Sequence, residues 1–159
     1  MAPLTKEDGT ALYHLVAEVE GLAARYAAEL DDEVRAELVS DLKKLNSNLQ
    51  HAAETGHPDG NQYYALDFRF HQRYVDAVDQ PRVHALCDAI RPQAERYMRL
   101  YTSTLPDHIL TSVAEHEQII TAITAGNAGA AQRAVQTNYR NAASRLSRVM
   151  EAVGERGSW

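Results

Sequence analysis

Between its breaker residues this chain repeats apolar side chains at spacings of three and four, and nowhere sustains a spacing of two. Leu12, Leu15, Val16, Val19, Leu22, Ala23, Tyr26, Ala27 and Leu30 form the first run. Such spacing lays one apolar stripe along an α-helix, whereas a half-buried strand needs strict alternation. Later runs centre on Leu38 and Leu42, on Phe70 and Tyr74, on Ile90 and Ala94, on His116 and Ile120, and on Tyr139 and Leu146. The breakers are Asp31-Asp32, Gly56 to Gly60, Asp79-Gln80-Pro81, Thr102 to Asp107 and Ala125-Gly126-Asn127. Asp31-Asp32 and Asn127 are placed to cap the helices that follow them, and Pro106 to open one. The pattern predicts an all-α, antiparallel bundle of about six helices with short connections. The third helix is expected over residues 61–78. A tail over 1–9, a helical domain over 10–153 and a frayed tail over 154–159 complete the expected layout.

Asp67 and His71 carry the chemistry. They lie four apart, so a helix stacks carboxylate and imidazole on one face. The rest of that face is apolar: Tyr63, Leu66, Phe70, Tyr74 and Val78. A carboxylate left unpaired there would be costly. A hard oxygen and a borderline nitrogen aimed at one point make half of a divalent metal site. Glu115-His116, on a later helix, offers a second half. The alternative is a hydrogen-bonded polar cluster without metal.

Composition narrows the function. A chain of 159 residues suits one domain with a real core. Its net charge of −6 argues against a nucleic-acid platform, which needs a basic surface. Cys87 is the sole cysteine, so no intrachain disulfide forms and a reducing, cytoplasmic setting is expected. No apolar run is long enough to span a membrane, and no signal-peptide layout is visible. Neither a Ser/His/Asp arrangement, a phosphate-cradling glycine loop nor a Cys-x-x-Cys pair occurs.

Several stretches together resemble one family. Tyr64 to His71 followed by Asp79-Gln80-Pro81-Arg82-Val83 is similar to the Asp-x-x-x-His segment and turn of the FCD domain. That domain is the C-terminal, effector-binding half of FadR-type GntR transcription regulators. Glu115 to Ile123 resembles the family's Glu-His-x-x-Ile-x-x-Ala-Ile helix. Gly126-Asn127 with Ala131 resembles its following turn, and Glu20 to Ala28 its opening helix. The likeness covers about residues 10–150.

The resemblance implies a central polar cavity with a divalent metal, zinc, nickel or manganese, held by Asp67, His71 and His116. The family's further histidine is replaced here by Asn138, which the helical pattern turns inward. The arginine often found four residues before the glutamate is replaced by Val16. Arg96, Tyr97, Ser112, Asn138 and Asn141 are the expected ligand-binding wall. Arg96 is a carboxylate clamp or else a solvated side chain like Arg91 and Arg99. His14, His51, His57, His84 and His108 are expected at the surface, and Cys87 in the core. The expected function is sensing of a small carboxylate effector by a homodimer. The chain enters the effector-domain pattern almost at once, so direct DNA binding is not expected of it. A free-standing metal-dependent enzyme on the same bundle is the alternative, because three ligands with an open position can also activate water. A plain dimerisation module with an empty core is a third.

Overall fold

A computed structural model describes residues 4–56 and 59–153. Its elements are α1 (Lys6–Ala28), α2 (Asp32–Thr55), α3 (Gly60–Asp76), α4 (Pro81–Thr104), a 3-10 turn (Pro106–His108), α5 (Ile109–Thr124) and α6 (Ala128–Val153). The described residues contain no strand, and the protein is an all-α helical bundle. None of these helices is long and apolar enough to cross a membrane. His57, Pro58 and the tail expected over 154–159 lie outside the described residues.

The breakers act largely as their chemistry requires. The Asn127 Oδ1 accepts from the Ala130 N–H at 3.0 Å and caps α6. Gly126 adopts φ +64°, the left-handed turn that ends α5, and the Asn127 N–H returns to the Ala122 carbonyl at 3.0 Å. Asp59 caps α3 through the Gln62 N–H at 2.9 Å. Asp31 occupies the N-cap position of α2 but its side chain makes no capping bond. Helix α3 stops at Asp76, short of residue 78, although Val78 remains buried.

The first helix begins earlier than its apolar repeat implies. Thr5 caps it through the Asp8 N–H at 3.2 Å, and Glu7 and Asp8 suit the positive end of its dipole. The Tyr97 hydroxyl fastens this end, accepting from the Thr5 N–H at 3.1 Å and donating to Asp8 at 2.8 Å. Leu4 is fully buried. Part of the stretch expected as a tail over 1–9 is therefore built into the bundle.

Helix α1 packs against α3, α4, α5 and α6, most extensively against α6. Ala17, Ala24 and Ala28, spaced along one face, are fully buried there, and small side chains let the helix axes approach closely. Helix α2 covers both α3 and α5. The middles of α1, α3, α5 and α6 therefore face one another, and each sends polar side chains inward. Buried Glu20, Asn46, His71, Ser112, His116 and Asn138 interrupt an otherwise apolar core.

At the α3 N-terminus the chain passes close to α4. The Thr102 hydroxyl donates to the Gly60 carbonyl at 2.8 Å, and a Cβ on Gly60 would stand 2.8 Å from the Ser103 Cα. Backbone cannot yield there as a flexible side chain can. Gly60→Ala is expected to cost about 1–3 kcal/mol, read as a lower urea midpoint with an unchanged m-value.

Candidate metal centre

Asp67 and His71 project from neighbouring turns of α3, and His116 meets them from α5. The His116 Nε2 lies 3.4 Å from Asp67 Oδ1, and the His71 Nε2 lies 4.0 Å from Asp67 Oδ2. One ligand atom from each residue falls within 4.8 Å of the others. Both imidazoles are buried, while the Asp67 side chain keeps 30% of its surface exposed. The His116 ring stacks on Phe70, with centroids 3.9 Å apart and planes 6° from parallel, so its orientation is fixed.

Hydrogen-bond donors decide where the imidazole protons sit. The Tyr74 hydroxyl donates to Glu20 Oε2 at 3.0 Å. Its oxygen then accepts from His71 Nδ1, 2.7 Å away. On the other side, Asn46 Nδ2 donates to the Val113 carbonyl at 3.1 Å and to Glu117 at 2.7 Å. Its Oδ1 therefore accepts from His116 Nδ1 at 3.0 Å. In both rings Nδ1 carries the proton and Nε2 is left with a bare lone pair. The His116 Nε2 is buried without a hydrogen-bond partner. Two lone pairs and a carboxylate thus converge with no donor between them. Such a set suits a divalent cation, and the outer partners are of the kind that orient metal-bound histidines.

The electrostatics support the neutral state of His116. Burial, and then the neighbouring His71, push the His116 pKa well below its usual value, so the ring is neutral. Burial also raises the Asp67 carboxyl, against the opposing pull of His71. Glu20 behaves differently. Burial alone would raise it, but His71, Arg91 and the Tyr139 hydroxyl together hold it down at about 2. It receives Arg91 Nε and Nη2 on Oε1, at 3.1 and 2.9 Å, and the Tyr74 and Tyr139 hydroxyls on Oε2.

Two small voids flank the Asp67/His71 pair. One, of about 20 Å³, reaches Tyr101, Ser112 and Asn138. The other, of about 10 Å³, reaches Phe68, Arg91 and Met98. The first has room for an ion or a water, far below a drug-sized pocket.

The structure brings Asp67, His71 and His116 together and places Ser112 and Asn138 beside them. Asn138 is buried and directs Nδ2 to Glu115 Oε2 at 2.8 Å. Asn141 is exposed and donates to Glu115 Oε1 at 2.9 Å. Arg145 pairs with the same carboxylate through both Nη atoms, at 2.9 and 3.1 Å. Tyr97 serves the start of α1, and half-buried Arg96 lines neither void. Cys87 is buried, whereas His14 and His51 are exposed and His84 and His108 half-buried. Sequence reading passed over Asn46, Arg91 and Arg145 as site residues. Asn46 alone carried a signal: an asparagine lies on the apolar stripe between Leu42 and Leu49.

An all-α bundle with an Asp/His/His triad between its helices defines the class of protein. The FCD domain family matches residues 11–141, and the chain belongs to that family. The membership points to an effector-sensing role of the GntR type. A comparison with curated proteins gives no match.

Glu20 offers a test of this geometry. Its folded pKa lies below the ordinary 4.5, so its contribution to stability is complete above about pH 4.5 and is lost as pH falls toward 2. Glu20→Gln should unfold more easily than the parent at neutral pH, by about 3 kcal/mol, because Arg91 loses its buried partner. Urea titrations should show that gap narrowing as the buffer is taken from about pH 6 to about pH 3.

Proposed function

We propose that this domain senses a small carboxylate through a divalent cation held by Asp67, His71 and His116. The carrying observation is the protonation pattern: both Nδ1 protons are committed to Tyr74 and Asn46, which leaves two bare Nε2 atoms facing a carboxylate. A bound cation would supply the positive charge that draws an anionic effector. Asn138 contributes from the side of the void. Its Nδ2 is taken by Glu115, so Oδ1 is the end available to a ligand or a bound water. Ser112 stands on the same wall, with Oγ 3.4 Å from the Tyr101 hydroxyl.

Signalling follows from where the ligands sit. Asp67 and His71 belong to α3, His116 to α5 and Asn138 to α6. An effector drawn to this point changes how three helices pack, and a packed core responds by shifting between discrete arrangements. In a homodimer, such a shift would reposition whatever DNA readers are attached. Zinc, nickel and manganese are the candidate ions, all compatible with mixed nitrogen and oxygen ligands.

Two measurements check the reading. His116→Ala is expected to keep the helical circular-dichroism signal while bound zinc or nickel, measured by elemental analysis after dialysis, falls well below the parent's. Equal metal content in both proteins would remove the cation from the proposal. Asn138→His should tighten zinc binding roughly tenfold or more, because imidazole replaces an amide. A calorimetric titration showing no gain would place Asn138 outside the coordination sphere.

A further inference from the structure

Arg91 is not among the expected ligand-binding residues, yet it lines a void together with two residues of the candidate centre, Asp67 and His71. It is the one guanidinium among the described residues that line the void shared by Asp67 and His71. Nε and Nη2 are both spent on a single oxygen, Glu20 Oε1. Nη1 makes no hydrogen bond among the described residues. Only 12% of the side chain is exposed, so the guanidinium is largely buried while its unbonded Nη1 keeps contact with solvent. A largely buried guanidinium with a spare donor at the solvent edge is a strong partner for a carboxylate.

Part of the lining of the same void is apolar: Phe68, Tyr64 and Met98. Tyr64 and Phe68 stack one turn apart on α3, with ring centroids 5.8 Å apart. Cations from α4 cover both rings: Arg91 stands 5.2 Å from the Phe68 centroid and Arg99 stands 4.2 Å from that of Tyr64. The partial exposure of Asp67 shows that the centre is not sealed. Two arginines around an aromatic opening attract an anion and offer its tail an apolar rest.

We propose that the effector is a monocarboxylate with an apolar tail, that it reaches the centre between α3 and α4, and that Arg91 holds its carboxylate while Phe68, Tyr64 and Met98 take the tail. The void beside Arg91 is only about 10 Å³, so it admits a carboxylate head after slight widening and leaves the tail along its apolar lining. A polyanion would leave surplus charge against Phe68 and Met98, because Arg99, the second guanidinium at the opening, is already engaged with Glu95 and Asn61. The inference rests on the proposed carboxylate-sensing function and names the class of ligand and the residue that selects it.

The test is calorimetric titration of zinc-loaded protein with benzoate, acetate and citrate, with zinc content measured on each sample. Benzoate should bind most tightly of the three. Arg91→Lys keeps a cation beside Glu20 but loses the planar fork, and should weaken benzoate about tenfold or more with zinc content unchanged. Phe68→Ala should weaken benzoate and leave acetate as it was. The proposal is overturned if Arg91→Lys binds benzoate as tightly as the parent, if citrate outcompetes benzoate, or if none of the three binds. Loss of zinc from Arg91→Lys would also overturn it, because Arg91 would then act through Glu20 and His71 as a positioning residue. Benzoate binding that survives both zinc removal and His116→Ala, yet still needs Arg91, would sink the cation-based reading and leave this one standing.

Discussion

The buried carboxylate of Glu20 is the interaction on which the centre of this bundle depends. It sits on α1 and receives donors from three other helices: Arg91 from α4, Tyr74 from α3 and Tyr139 from α6. An unpaired carboxylate in such a place would be prohibitively costly, so the four helices can assemble only in the register that satisfies it. Burial and binding pull its ionisation in opposite directions, and binding prevails. The apolar stripes bring the helices together; this carboxylate selects among the ways they could slide.

The orientation of the histidines follows from that choice. Tyr74 donates to Glu20, so it can only accept from His71, and the free nitrogen of His71 is thereby turned toward Asp67. The same logic operates across the bundle with different residues. Asn46 on α2 spends both amide protons on α5, so its oxygen takes the His116 Nδ1 proton. Neither ring can rotate or change tautomer without leaving a buried donor unpaired, which costs more than the bond itself contributes. Rigid presentation of two lone pairs is thus a consequence of the packing, achieved by residues that never face the centre.

Much of this was legible in the sequence. Periodicities of three and four predicted each helix, and the gap between Asp67 and His71 predicted a shared face, because local geometry alone determines both. The joining of His116 to that pair depended on a match to a family pattern rather than on spacing, since no local rule ties α5 to α3. Arg91 was illegible for a related reason. Its neighbours Arg96 and Arg99 share its helix and its chemistry, and only the tertiary placement of Glu20, on a different helix, singles it out. The early start of α1 was hidden likewise: Thr5 lies in the stretch expected as a tail, and the hydroxyl that anchors it belongs to Tyr97.

Asn138 shows how a buried amide can be satisfied without leaving a defect. An amide in a buried position has two ends to satisfy. Its nitrogen end finds Glu115, which is also gripped by Arg145 and Asn141, so the acceptor is held from three sides and cannot follow the amide if it swings. The oxygen end is the one left for the void that Asn138 lines, on the proposed reading. On the proposed reading, the donor set becomes two nitrogens and two oxygens in place of three nitrogens and one oxygen. That change weakens the preference for borderline ions such as zinc and favours harder ones such as manganese. It also leaves a looser fourth position, easier for a carboxylate or water to displace than a committed imidazole would be. A sensor benefits from such a position, because effector affinity is greatest where the resident ligand binds least tightly.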